Sequence, residues 1–392
     1  MQNKSGALSN SRNGAPRQRG EQNIPWVNAA LAVVSVLLSL AIIEVSYRVV
    51  VALPVFALTD WRSERIIVSR IGARRAITDP ILGWTVKPWY EGDRYRTIDH
   101  GIRSNFGEGF VRTGAILAVG DSFTEGWDVN DDESWPAHLE RMTGAPVINA
   151  GVFGYGTDQI ILRAEQLLPI VDPTILIIGF LEFDIFRSAH SDFGAPKPYF
   201  TIDNGGLHLH PPRPIDLNTQ DGILSTASLK FRDALGYSAV ANALLARLAP
   251  DFWYSGSKIF YRKVETDPVL VTCILLERLK ARSESSGIRM LLFMQYNEFQ
   301  ILATHQPTED ARRVANCAEA AGIEVVDQFA ALRAIVDANP DNFHRYYFRH
   351  HQGFGHMTDK GNRHAAKLLA GALASTRPAH AAPPTSFLPT PN

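Results

Sequence analysis

Five short apolar runs, each followed by a stretch with helical spacing, constrain this chain more than any other feature. The runs lie near 115–120, 146–150, 174–180, 289–295 and 323–328, and the helical patterns near 134–143, 157–171, 266–287, 308–321 and 358–375. Regular strand–helix alternation implies a parallel sheet covered by helices on both faces. The expected fold class is therefore α/β, a three-layer α/β/α sandwich with a flavodoxin-like parallel sheet. Within it, helix 157–171 is expected to bury Ile160, Ile161, Leu167, Leu168 and Val171 and to turn Arg163 and Glu165 outward. Residues 185–260 break the rhythm with Pro196, Pro198, Pro211, Pro212 and Pro214. They read as an insertion above the sheet, a natural seat for specificity. His208 and His210 fall in a Gly/Pro-rich part of it, where a surface hairpin is preferred to a metal site.

Outside that alternation lies a different kind of segment. From Val27 to Ile43 the chain carries no charge and is mostly Ala, Val, Leu and Ile. As a helix this run is about 26 Å long, slightly short of a ~30 Å hydrocarbon core. Glu44 and Arg48 are four apart and can pair, with Arg48 snorkelling outward to extend the span toward Ala52. Trp26 and Tyr47 suit the two interfaces, and Lys4, Arg12, Arg17 and Arg19 against Glu21 favour a cytoplasmic N-terminus. A cleaved signal peptide, with Val55 and Ala57 at the cleavage site, and a buried soluble helix are the alternatives to an anchor at 26–52. The polar residues 1–25 and the proline-rich 377–392 are expected to be disordered.

Composition narrows the partners. With 392 residues and 45% hydrophobic content the chain can bury one large core, and a net charge of −1 gives no field toward nucleic acid. The two cysteines, Cys273 and Cys317, lie on helices flanking the run 290–295. In an exported chain they can bridge; two buried thiols are an equal alternative. No pattern for a metal or cofactor stands out, and none is expected.

Chemistry concentrates where Ala115–Val119 runs into Gly120-Asp121-Ser122-Phe123. A buried strand ending in Gly-Asp-Ser places a hydroxyl at the carboxyl end of the sheet, where α/β folds keep their sites. Thr124 to Asp128 shows neither period, so the serine is expected on a loop, as a nucleophile if a histidine reaches it or as a simple helix cap.

Further blocks follow in order: Asn149-Ala-Gly151-Val-Phe-Gly154, then Leu181-Glu-Phe-Asp184, then Gly355-His356-Met-Thr-Asp-Lys-Gly361. Together with Gly120-Asp121-Ser122 they resemble the SGNH/GDSL hydrolase family, in particular its membrane-anchored bacterial members, over about Asp79 to Ala374. The resemblance implies a domain at 113–376, preceded by a lead-in at 53–112 that packs short strands on it. It implies Ser122 as nucleophile, His356 as base, and an oxyanion hole from the backbone N–H groups of Ser122 and Gly154. Two positions depart from the family. Its third-block asparagine, an oxyanion donor, is Phe183 here, and the aspartate three residues before its histidine is Gly353. Asp121 and Asp184 are possible supporting residues, Asp184 as a substitute orienter if it turns inward; a backbone carbonyl is the other option.

Three readings stand at this stage. One is a serine esterase or deacylase acting on O-acyl bonds, with an ester or acylated carbohydrate as substrate. The second is an O-acyltransferase for an exported polysaccharide. The third is a catalytically degenerate carbohydrate-binding protein of the same fold. All three place the chain in the inner membrane as a single-pass protein, its folded domain in the periplasm or outside the cell.

Overall fold

The computed structural model describes residues 25–51, 53–56, 75–106, 114–203, 206–214, 226–249, 252–253, 260–348 and 355–375. The tails at 1–24 and 377–392, and Gly353, lie outside these residues. The first element is helix α1 (Pro25–Val50), and the 25 residues Trp26–Val50 have a mean hydropathy of 2.3 with none of the apolar window buried. A β-hairpin follows, β1 (Ala76–Asp79) and β2 (Gly83–Val86), paired antiparallel.

The core then alternates: β3 (Ile116–Val119), α2 (Ser122–Glu125), α3 (Trp135–Thr143), β4 (Val147–Asn149), α4 (Thr157–Val171), β5 (Ile175–Leu181) and α5 (Phe183–Ser188). The insertion carries β6 (His190–Pro196), the hairpin β7 (Tyr199–Asp203) and β8 (Gly206–His210), then α6 (Thr226–Leu235), α7 (Ala239–Leu248) and β9 (Phe260–Lys263). The core resumes with α8 (Pro268–Ser285), β10 (Arg289–Gln295), α9 (Glu298–Ala303), α10 (Glu309–Ala320), β11 (Glu324–Asp327), α11 (Phe329–Ala338), α12 (Pro340–Phe343) and α13 (Asp359–Ser375).

β3, β4, β5, β10 and β11 form one parallel sheet in the order β11-β10-β5-β3-β4. This is the expected flavodoxin-like order, with the direction of winding reversing between β3 and β5. Right-handed crossovers place α3 on one face and α4, α8 and α10 on the other. The packing agrees, since α13 lies on α3 while α8 touches both α4 and α10. β3, β4, β5 and β10 are buried at their central positions because both faces are covered, whereas the edge strand β11 is only partly buried. The disulfide Cys273–Cys317 joins α8 to α10, which settles the choice left open between bridge and thiols. His208 and His210 lie on β8 of the surface hairpin, His210 stacked on Tyr199 at 4.5 Å.

Three local expectations need correction. Arg163 does not face out of α4; it is buried and donates to His100 O at 2.7 Å, because the lead-in covers that part of the helix. Arg48 does not snorkel. It is buried, pairs with Glu44 at 2.7 Å and donates to Pro54 O and Tyr237 O, so it faces the insertion instead of water. Ser122 sits not on a loop but at the first position of the short helix α2, and its cap is Asp121.

Candidate active site

At the carboxyl end of β3 the chain makes one turn of helix. The Asp121 carboxylate accepts from Phe123 N at 2.8 Å, fixing that turn's start, and leaves the N–H of Ser122 among the helix's unpaired first donors. Gly126 ends the turn in the left-handed region, φ 79°, where a side chain is strained. Trp127 N then donates back to Ser122 O at 3.1 Å. This reversal carries Trp127 and Asp128 back beside the serine.

His356 arrives from the segment before α13. Its Nε2 lies 2.9 Å from Ser122 Oγ and its Nδ1 lies 2.9 Å from Asp128 Oδ2. A carboxylate only accepts, so Nδ1 carries the proton and donates to Asp128. The remaining nitrogen of the neutral ring, Nε2, then accepts from the Ser122 hydroxyl. Phe123 and Trp127 pack on the imidazole, with centroids 5.2 and 6.2 Å away and the indole nearly parallel to it. Ser122 is 5% exposed. The serine is therefore largely covered by its neighbours.

Asp128 was not among the expected site residues. Its six-residue separation from Ser122 has no periodic signature, and its position depends on Gly126 and on Arg103. The buried Arg103 guanidinium donates to Glu125 O at 2.6 Å, Val129 O at 2.7 Å and Asp131 Oδ1 at 3.0 Å, holding the turn on both sides of Asp128. Beneath it Arg75 pairs with Glu125 at 3.0 Å and lies over the rings of Trp127 and Tyr95, at 4.1 and 4.2 Å.

Asp184 does not turn toward His356. Its carboxylate accepts from Leu181 N at 2.9 Å and from Arg187 Nη1 at 2.7 Å, and the same Nη1 donates to Asp121 Oδ2 at 2.9 Å. Burial, with the neighbouring Asp121 charge adding to it, pushes the Asp184 carboxyl well above the usual carboxylate range, while Arg187 opposes the shift. Asp121, Arg187 and Asp184 thus clamp the start of α2 to α5. Phe183, at the place of the family's asparagine, packs on Phe186 and Phe193 at 5.0 and 6.0 Å.

Gly154 has φ 72°, so glycine is required there by backbone conformation; a Cβ would meet only Trp84 Cζ2 at an ordinary 3.6 Å. Trp84 Nε1 donates to Phe153 O at 3.1 Å. In a trans peptide the C=O and the following N–H point oppositely, so this bond directs the Gly154 N–H away from Trp84. Neither Ser122 N nor Gly154 N has an acceptor among the described residues.

Neither a protein-family model nor a curated protein matches the sequence. Among solved structures, the chain is similar to a lipase/acylhydrolase from Enterococcus faecalis, 15% identical over 69% of this chain and 100% of that one, with a TM-score of 0.38. It is similar also to an acetyl xylan esterase, AlAXEase, at 12% identity over 66% and 99%, with a TM-score of 0.37. A GDSL-like lipase from Bacteroides thetaiotaomicron is 12% identical over 70% and 95%, with a TM-score of 0.34.

Proposed function

We propose that the chain is a metal-independent serine hydrolase of ester bonds that works through an acyl-enzyme on Ser122, held at a membrane by α1. The observation that carries this reading is the continuous line Ser122 Oγ, His356 Nε2, His356 Nδ1, Asp128 Oδ2, with both heavy-atom gaps at 2.9 Å. Asp128 supplies an orienting carboxylate in place of the one missing at Gly353, which weakens one of the two grounds for a degenerate, binding-only protein; the other, Phe183, stands.

The chemistry follows from the geometry. His356 takes the Ser122 proton as Oγ attacks the ester carbonyl carbon, and the carbonyl π electrons move to oxygen. The unpaired N–H groups of Ser122 and Gly154 are the donors for that oxyanion. Collapse breaks the C–O bond to the alcohol, which leaves with the proton from the imidazolium. Water then gives a proton to His356 and attacks the acyl-enzyme, releasing the acid and restoring the serine. Asp128 stabilises the imidazolium and keeps the ring in its productive tautomer. With Phe183 in place of an asparagine, the hole is short of one donor that the resembled family uses.

The membrane reading rests on the length and apolarity of α1 and on Glu44, whose carboxylate accepts from Ser238 Oγ and Ala239 N, both at 2.7 Å. A helix that caps an element of the folded domain favours a retained anchor over a removable leader. The basic tail and the disulfide both fit a domain exported to an oxidising compartment.

A fluorophosphonate probe followed by peptide mapping tests the chemistry. Modification is expected at Ser122 and, with p-nitrophenyl acetate, turnover that Ser122→Ala abolishes. A folded protein that neither labels nor turns over any ester would overturn the reading.

A further inference from the structure

Helices α6 and α7 interrupt the insertion at a place the catalytic geometry does not use. α7, Ala239-Val-Ala-Asn-Ala-Leu-Leu-Ala-Arg-Leu248, packs against α1, and its exposed face carries Leu244 and Leu248, 53% and 75% accessible. Phe231 on α6 is also exposed. A groove of about 640 Å³ between the helices and α1 is lined by Leu40, Ile43, Leu235, Val240 and Leu244. Leu40 and Ile43 belong to the uncharged run of α1, which puts Leu244 at the depth of that run.

A helix that begins in lipid must have its first N–H groups satisfied by protein. In α7 they are. Ala239 N and Val240 N donate to the Glu44 carboxylate at 2.7 and 3.1 Å, Ala241 N to Ser238 Oγ at 3.0 Å, and Asn242 N to Ser238 O at 3.0 Å. The polar side chain of Asn242 accepts from Trp253 Nε1 at 2.9 Å. Glu44 in turn pairs with Arg48 at 2.7 Å, so the charge near the end of α1 is not isolated. Arg247, in the last turn and so at the deep end of α7, is that helix's one charged residue and offsets part of what its leucines gain from lipid.

We propose that the α6–α7 hairpin is a second membrane-contacting element, with α7 seated on α1 in the outer half of the bilayer and its exposed leucines against lipid acyl chains. The proposal rests on α1 being an anchor. Ten residues give a helix of about 15 Å, half a hydrocarbon core, so α7 enters the bilayer without crossing it. Its consequence is orientation, because two attachment elements restrict how the catalytic domain can turn over the membrane, whereas one leaves it free to swivel.

The test uses the full chain in phosphatidylcholine vesicles, with single cysteines carrying an environment-sensitive fluorophore at Val36, Leu244, Leu248 or Arg312; the native cysteines are bridged and do not compete without reductant. Lipids brominated on their acyl chains are the quencher. The expected result is loss of fluorescence at Leu244 and Leu248 matching that at Val36, with none at Arg312. Quenching at Val36 while Leu244 and Leu248 behave like Arg312 overturns the hairpin proposal and leaves the anchor standing. No quenching at Val36 overturns the anchor, and the hairpin with it.

Discussion

Asp128 owes its place to Gly126, which reverses the chain and donates its N–H back to Ser122 O at 3.0 Å, and to Arg103, which ties down the carbonyls of the turn. Replacing Asp128 with Asn keeps the volume but lets His356 adopt the wrong tautomer. The expected outcome is a fall in kcat of about 10²–10⁴-fold with little change in KM or melting temperature. Unchanged ester turnover by the Asp128→Asn protein would remove Asp128 from the mechanism. Ser122 and His356, which the structure brings within 2.9 Å, were singled out because each sits in a local block of the resembled family. Asp128 was not, because its role is created by a left-handed glycine and by a guanidinium that comes from outside the nucleophile's own segment. Asp184 was a candidate through the Leu181–Asp184 block that carries the family resemblance; its pairing with Arg187 depends on helix α5, which places the two three residues apart on one face.

At the scale of elements, all five sheet strands and the helices α3, α4, α8, α10 and α13 could be read from periodicity, and the observed ends differ from the expected ones by a residue or two. Short or weakly signalled helices escaped. α2 has only four residues, below any periodic window, and α11 has Gln328 at its N-cap with no side-chain hydrogen bond to announce it. The join between α8 and α10 makes a separate prediction. Cys273–Cys317 closes a loop with a sequence separation of 44, and the chain-entropy relation gives about 4 kcal/mol for such a loop at 25 °C. Cys273→Ser with Cys317→Ser is expected to lose about 2–4 kcal/mol in denaturant unfolding while keeping the fold. A loss below about 0.5 kcal/mol would mean that the bridge restrains a segment already ordered in the unfolded chain.

For the molecule as a whole, histidines held wholly or partly out of water set an acid limit. Burial holds the imidazoles of His138, His190 and His364 below the ordinary 6.5. Each folds neutral, so below about 6.5 the unfolded chain binds more protons than the folded one. Stability from these groups is complete above that pH and is lost as the pH falls through the window. The melting temperature is expected to decline as the pH falls below about 6.5, and His364→Gln should make the decline shallower. An identical slope in that variant would assign the proton uptake elsewhere.

The lead-in hairpin has a practical meaning. A fragment starting at Gly114 would retain all five parallel strands and every atom of the Ser–His–Asp line. Yet it would lack Trp84, which holds the Phe153 carbonyl, along with Arg103 and Arg75. The smallest piece worth producing as a working enzyme therefore opens no later than Arg75, some forty residues upstream of where the sheet itself begins.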